Sequence, residues 1–337
     1  MEKYGENMME KILVTGGAGY IGSHVVKDLI KKGFEVIVID NLEKGHKSAV
    51  KSHYFYKVDL KDKEKLEELF KSFKIKGILH FAAASLVGES MINPGKYYEN
   101  NILGGLNLLE CMIKYNIDIF IFSSTAAVYG EPKIIPIPED HPTIPTNVYG
   151  SSKLMFEDIL KWYSKIYGIR YISLRYFNAA GCDIDGELGE DHKPETHLIP
   201  LVIKTALGQM RYVEIYGTDY PTPDGTCIRD YIHISDLSLA HILALEALLS
   251  GKDSDIYNLG NSQGFSVREV IKTAEKVIGK KIPIKEVGRR IGDPAVLIAS
   301  SNKIKKDLGW NPKYSDLEFI IKSAWNWFEK NPNGYPD

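Results

Sequence analysis

Cysteine is scarce in this chain, and what there is forms no pattern. Cys111, Cys182 and Cys227 are three in 337 residues, with no C-x-x-C pair. That excludes a disulfide framework and a zinc knuckle, and points to a reducing, cytoplasmic compartment. No apolar run approaches the roughly 20 residues that span a bilayer, so no membrane partner is expected. The opening MEKYGENMME is polar and acidic, unlike the basic-then-apolar start of a signal peptide. Neither sign of charge prevails: 42 Lys plus Arg face 44 Asp plus Glu, a formal net charge of -2, and without a basic stripe nucleic acid is not an expected partner. Repeats and low-complexity tracts are missing. His192 and His197 flank a loop, and His233 and His241 surround a helix, but no His–carboxylate group has metal spacing, so no metal is expected.

What is present is the balance of an ordinary globular protein, 44% hydrophobic and 26% charged. The length calls for two domains, or one large domain with a lobe. Short Val- and Ile-rich runs alternate with helical stretches. Strands are predicted at Lys11–Thr15, Phe34–Asp40, Tyr54–Leu60, Gly77–Ala82, Asp118–Ser123 and Arg170–Phe177, and helices at about Tyr20–Lys32, Lys61–Lys74, Tyr97–Tyr115 and Val148–Tyr167. Near-continuous apolar strands alternating with helices indicate an α/β fold, a Rossmann-like doubly wound parallel sheet covered on both faces. From about Ala179 to Asp230 the pattern lapses into a Gly-, Pro- and Asp-rich stretch with one good helix, Ile199–Leu207. This begins a smaller α/β substrate lobe. The expected division is residues 1–180 for a dinucleotide, rejoined by about 234–260, and 181–337 for the substrate.

Gly16-Gly17-Ala18-Gly19-Tyr20-Ile21-Gly22 follows the first strand and opens the first helix. A turn without side chains lets backbone N–H groups and a helix N-terminus face a pyrophosphate. The glycines alone are weak evidence; the strand before and the helix after give them weight. Asp40 closes the second strand, 24 residues beyond Gly16. A carboxylate there accepts from both ribose hydroxyls and repels a 2′-phosphate, favouring NAD over NADP.

Tyr149 and Lys153 stand four apart at the start of a helix, on one face. A phenol titrating near 10 is a poor base at neutral pH. An adjacent ammonium, and an oxidised nicotinamide nearby, would favour its ionised form, so that Tyr149 could take a proton from a sugar hydroxyl. Many helices carry such a pair. The hydroxyl-rich strand end Ser123-Ser124-Thr125 just upstream singles this one out, because ligands bind at that edge of such sheets. Thr125 is expected to hydrogen-bond the substrate hydroxyl and relay its proton.

With these residues in view the chain resembles the extended short-chain dehydrogenase/reductase family, and within it the UDP-sugar 4-epimerases. The likeness runs through TGGAGYIGSH (Thr15–His24), DNL (Asp40–Leu42), HFAA (His80–Ala83), VGES (Val87–Ser90), FSSTAAVYG (Phe122–Gly130), YGSSK (Tyr149–Lys153), LRYFN (Leu174–Asn178), GED (Gly189–Asp191), DGTCIRDYIH (Asp224–His233) and YNLG (Tyr257–Gly260) to the final GYPD. The glycine loop and YxxxK are common to the superfamily; DGTxxRDYIH and GYPD are far more specific. The resemblance implies an NAD-dependent, reversible 4-epimerisation of a UDP-hexose (UDP-glucose/UDP-galactose) through a 4-keto sugar. It implies cofactor contacts from Gly16, Gly19, Tyr20, Ile21 and Gly22, then from Asp40, Asn41, Asp59 and Leu60. Phe81, Ala82, Ala83, Asn100, Ser123, Tyr149, Lys153 and Tyr176 complete that set. For the UDP-sugar it implies Ser124, Thr125, Asn178, His197 and Leu198, with Tyr216, Arg229, Arg290, Asp293 and Leu297. Arginine forks match phosphate oxygens.

Two positions depart from the family's pattern. Many members carry a Lys against the cofactor where this chain has Ser85, so NAD retention is expected to be looser. Leu297 stands where some members have a bulky Tyr; the smaller group leaves room for an N-acetyl substituent, and UDP-GlcNAc/UDP-GalNAc become candidate substrates. Three rivals compete. A dehydratase needs an acid and a base, usually Asp-Glu, after the active-site Thr, and Ala126 and Ala127 transfer no proton. A UDP-uronic acid 4-epimerase would differ at only a few sugar-facing residues. A non-catalytic NAD(H)-sensing protein could dispense with the Tyr–Lys pair that this chain keeps. By analogy a homodimer through the helices near Asn100–Tyr115 and Val148–Tyr167 is expected.

Overall fold

The computed structural model describes residues 10–290 and 292–337; all but the last of the opening residues read above against a signal peptide lie outside it. Strands β1 (Lys11–Thr15), β2 (Glu35–Asp40), β3 (Tyr54–Lys57), β4 (Ile75–His80), β5 (Ile119–Thr125) and β6 (Arg170–Tyr176) join Asp255–Leu259 in one seven-stranded sheet. Its order is Asp255–Leu259, β6, β5, β4, β1, β2, β3, and every pairing is parallel. The chain thus winds outward in both directions from β1, and the crevice at that reversal, between β1 and β4, is where such sheets take ligands.

Alternate residues of the strands serve opposite layers. Ile12, Val14, Ile119 and Ile121 pack under Val25, Val26 and Leu29 of helix α1 (Tyr20–Lys31) and under Leu237, Leu245 and Leu248 of helix Ile234–Leu249. On the other face Leu13, Ile37, Ile39, Phe120 and Phe122 meet helices α2 (Lys63–Ser72), α5 (Gly104–Lys114) and α6 (Val148–Tyr167) through Leu66, Leu109, Phe156 and Leu160. Sheet and helices together are the Rossmann-like α/β fold that the alternation predicts.

Element ends differ from the sequence expectation for local reasons. β3 stops at Lys57 rather than Leu60, because the chain turns there: Asp59 accepts from the Lys61 N–H at 2.9 Å and Asp62 caps α2. β4 ends at His80 rather than Ala82, since the N–H groups of Phe81 and Ala82 both turn onto the Thr15 carbonyl. Two short helices, α3 (Val87–Ser90) and α4 (Pro94–Tyr98), precede α5. The single helix expected from Tyr97 to Tyr115 is α4, a π-turn at Glu99–Leu103, and α5. It begins early because Asn93 accepts from the Lys96 N–H and Pro94 takes the first turn, where its missing N–H is harmless.

Between β6 and Asp255–Leu259 the chain builds much of a second, smaller unit. Asn178–Ala180 pairs with Tyr231–His233, Val213–Tyr216 with Ile284–Val287, and Ile228–Arg229 with both Phe265–Ser266 and Val296–Leu297. Helices Leu198–Ala206, Val267–Ile278 and Leu317–Lys330 bury Ile203, Ile271, Ile320, Trp327 and Phe328 in its own core. The GYPD segment straps the units together: Tyr335 stacks on His46 at 4.9 Å, its N–H donates to Asp191 at 3.1 Å, and Asp337 accepts from the Ser48 N–H at 2.9 Å. Among the described residues no helix is long and apolar enough to cross a membrane. All three cysteines are free and buried.

Candidate active site

The glycine loop has no room for side chains. Gly16 takes a left-handed φ of +71°, and a Cβ on it would lie 2.5 Å from the Ala82 nitrogen; one on Gly22 would lie 2.2 Å from the Gly16 carbonyl oxygen. Gly19 caps α1 without any side-chain hydrogen bond, and the first turn holds no acidic residue. The N–H groups at that helix start therefore face outward as anion donors, the arrangement a pyrophosphate needs. Asp40 accepts from the Ala18 N–H at 3.1 Å and the Leu42 N–H at 2.8 Å, tying the loop to the end of β2 with lone pairs to spare for a ribose. Burial pushes its carboxyl above the usual range, against the pull of those two amides. Asn41 donates to Asp59 at 3.1 Å, and Leu60 accepts through its carbonyl from Asn107 at 2.9 Å. Phe81, Ala82 and Ala83 follow β4 across the reversal point. These residues fit a dinucleotide.

Tyr20 belongs to this loop by sequence, but its side chain leaves it. The hydroxyl donates to the Gly181 carbonyl at 2.5 Å and the ring meets His192 edge-on at 6.2 Å. Only its backbone N–H remains for a cofactor, as with Ile21.

Tyr149 and Lys153 sit in the first turns of α6, which Asn147 caps by accepting from the Gly150 N–H. Lys153 donates to the Ser123 carbonyl at 2.8 Å and lies 4.9 Å over the Phe122 ring. Burial lowers its amine from 10.5 to about 7, offset in part by the Glu157 carboxylate. Burial also raises the Tyr149 phenol, and the neighbour that favours its ionised form is the Thr125 hydroxyl. Desolvation of the ring thus opposes the ionisation that the sequence assigns to the Lys153 ammonium and an oxidised nicotinamide together. Tyr176 joins the group, its hydroxyl paired with that of Ser123, and burial together with the nearby Tyr149 raises it as well.

Ser124 is the residue of the strand end that the fold turns elsewhere. Its neighbours Ser123 and Thr125 lie on the opposite face by the alternation of β5. The Ser124 hydroxyl is fully buried and donates to Glu157 at 2.6 Å, and Glu157 in turn holds Arg175. It braces the base of the site and has no free path to a substrate. Asn100 lies in the π-turn, half-buried, while its neighbour Asn101 fastens α6 to the loop after β4 through Ser152 and Ala84, both at 3.0 Å. Sequence reasoning missed Asn101; the doubled Asn of YYENN was its only signal.

In the smaller unit Arg229, Arg290, Asp293 and Tyr216 converge. Asp293 accepts from Arg290 at 2.9 Å and stands 3.6 Å from Arg229, while the Arg290 guanidinium covers the Tyr216 ring at 4.6 Å. Arg229 is fixed by donating to the carbonyls of Ile228 and Pro294 at 2.9 and 2.8 Å. Asn178 opens the strand beside Tyr231, Leu198 starts the helix Leu198–Ala206, and Leu297 pairs with Arg229 next to Ala126, Val128 and Phe177. Asp230, quoted above only as part of DGTCIRDYIH, accepts from the N–H groups of Asn261, Ser262 and Ala299 at 2.7 to 3.1 Å, and burial pushes it up to about 7.

The sequence reading found no metal-type grouping, and here the fold differs. Ligand atoms of Glu190, His192, Glu195 and His197 all come within 4.8 Å of one another. Their spacing follows a loop and matches neither a helix nor a strand period, so it was invisible along the chain.

Residues 12–260 match the sequence profile of the NAD dependent epimerase/dehydratase family. The UDP-glucose 4-epimerase of Halalkalibacterium halodurans is 53% identical over 96% of this chain and 97% of its own. A crystal structure of a UDP-glucose 4-epimerase superposes with a TM-score of 0.95 at 52% identity, covering 97% of this chain and 100% of that one. The UDP-glucose 4-epimerase of Bifidobacterium longum in complex with NAD+ and UDP gives 0.91 at 40% identity, over 96% and 100%. On profile, identity and superposition alike, the chain belongs to the NAD dependent epimerase/dehydratase family.

Proposed function

We propose that this chain interconverts UDP-glucose and UDP-galactose by inverting carbon 4, with NAD held across the β1/β4 reversal. One observation carries the reading: Thr125, Tyr149, Lys153 and Tyr176 gather at the C-terminal edge of β5 and β6, on the same sheet as the glycine loop. When bound, NAD supplies a reversible acceptor for the hydride of carbon 4. Tyr149 takes the proton of the 4-hydroxyl, and Thr125 shares that hydrogen bond and steadies the developing phenolate. Lys153 anchors the Ser123 carbonyl and keeps a positive charge in reach as the phenol ionises. The 4-keto sugar turns over in the pocket so that carbon 4 would regain its hydride on the opposite face, and Tyr149 returns the proton to the 4-oxygen. No second substrate is consumed.

Residues 1–180, with the stretch near 234–260, hold the dinucleotide in this reading, and 181–337 hold the UDP-sugar. Arg229 and Arg290 exchange their shared Asp293 for the diphosphate, with Tyr216, Asn178, His197 and Leu198 around the nucleotide. Ala126 and Ala127 carry no proton for elimination, which disfavours a dehydratase, and the retained Tyr–Lys pair disfavours a sensor. Ser85 in place of a lysine loosens NAD, and Leu297 admits an N-acetyl group. Free, buried cysteines suit a cytoplasmic setting. Exposed Leu103, Met155, Trp162 and Ile166 on the π-turn and α6 suit a homodimer through these helices; a monomer in sedimentation at micromolar concentration would refute that.

Incubation with UDP-galactose, and separately with UDP-GalNAc and UDP-galacturonate, without added NAD, tests the function. The 4-epimer of UDP-galactose is the expected product. No product from any of the three, even after NAD is supplied, would overturn it.

A further inference from the structure

The segment between Asn178–Ala180 and helix Leu198–Ala206 folds four side chains onto one point. Glu190 Oε1 lies 3.3 Å from His192 Nδ1 and 2.6 Å from His197 Nδ1. Glu195 Oε2 lies 3.7 Å from His192 Nδ1, while its Oε1, 3.4 Å from His197 Nδ1, already accepts from the Thr196 and His197 N–H groups at 2.8 Å. Glu190 is 3% exposed. Despite these close neighbours, Glu190 Oε1, His192 Nδ1 and Glu195 Oε2 are buried without a properly directed hydrogen bond. One donor atom from each of the four residues lies within 4.8 Å of the other three.

That geometry has a simple measure. Four donors bonded to one tetrahedral zinc ion at about 2.0–2.2 Å stand roughly 3.3–3.6 Å apart. The distances above bracket this spacing. Two imidazoles and two carboxylates are a donor set zinc accepts, and their combined charge of two negatives matches a divalent cation. We propose that Glu190, His192, Glu195 and His197 form a zinc-type metal site.

With four protein ligands and no open position, the site is structural rather than catalytic. It takes His197 through Nδ1, which leaves Nε2 for the nucleotide, fixes the loop that leads into helix Leu198–Ala206, and touches α1 through the edge contact of His192 with Tyr20.

The test uses the full chain with its cofactor, stripped by a chelator and titrated with Co2+. The expected result is a visible absorption of tetrahedral cobalt saturating at one ion per chain and abolished by Zn2+, with a raised thermal midpoint in Zn2+. His192→Ala and Glu195→Gln, checked for folding by circular dichroism, lose at least about 100-fold in Zn2+ affinity, whereas His53→Ala, at an exposed position, keeps it. If neither variant folds, stoichiometry and spectrum of the unaltered chain decide. No stoichiometric binding of either ion, or binding unchanged in a folded His192→Ala chain, means that the cluster is an ion-pair network only and overturns the proposal.

Discussion

The Lys153 amine donates to the main-chain carbonyl of Ser123 at 2.8 Å, one turn of α6 beyond the Tyr149 phenol. The lysine is thus locked to the strand end that carries Thr125, beside the Ser124–Glu157 hydrogen bond that also ties α6 to β5. Because burial alone lifts the phenol and lowers the amine, the protein by itself holds Tyr149 protonated.

Replacing Tyr149 with Phe removes the proton carrier while preserving the ring. Turnover of UDP-galactose should fall by about 10²–10⁴-fold, the usual share of acid–base catalysis. Cofactor released on denaturation should match the unaltered enzyme. A variant retaining near-normal kcat would exclude Tyr149 as the base.

Lys153 also predicts a stability profile. The folded amine titrates at about 7 against 10.5 when free, so between those values the unfolded chain binds one proton more. Stability from this group therefore rises with pH across that window, and its cost is fully present below 7. Other groups titrate there too, so the readout is a difference. In cofactor-stripped protein, Lys153→Met should narrow the gain in unfolding free energy from pH 7 to 9.5, measured by urea titration; identical slopes would refute the buried, lowered amine.

Gly22→Ala places a methyl group 2.2 Å from the Gly16 carbonyl oxygen. The loop must shift, at a cost of about 1–3 kcal/mol, and its amides lose their aim. The expected protein is folded but binds NAD weakly in calorimetry. Normal NAD affinity would show that the loop does not cradle the pyrophosphate.

Glu157 and Arg175 form an ion pair buried to 0% and 4% of side-chain exposure. Glu157→Ala leaves a guanidinium stranded beside Ser124, a loss of about 3–5 kcal/mol, read as a fall in the denaturant midpoint. Adding Arg175→Met should recover much of it. A double variant whose loss equals the sum of the two single losses would mean that the pair is not coupled.

Leu297→Tyr should depress turnover of UDP-GlcNAc relative to UDP-galactose by filling the space beside Phe177. Absence of UDP-GlcNAc turnover in the unaltered enzyme removes the premise.

The large sheet was legible because its strands are buried on both faces and read as unbroken Val and Ile runs, as in EVIVID of β2. The glycine loop was legible because close backbone approach admits only one residue type. Tyr149 and Lys153 were placed by their spacing, but their electrostatics were not, since desolvation depends on everything packed around them. Ser124 misled because the hydroxyls of one strand end look alike until alternation assigns them to opposite sides. Asn101, Asp230 and the Glu190–His197 cluster act through contacts set by loops, for which a linear pattern has no period.

The strand Asp255–Leu259 completes the sheet beside β6, yet about 80 residues, most of them in the second unit, separate the two along the chain. During synthesis at roughly 5–20 residues per second, the outer edge of β6 waits roughly 4–16 s with its N–H and C=O groups unclaimed. An open edge of that kind templates foreign strands. The nascent chain is therefore most exposed to misassembly in this interval, and a binder of unpaired strands supplied cotranslationally should raise its yield.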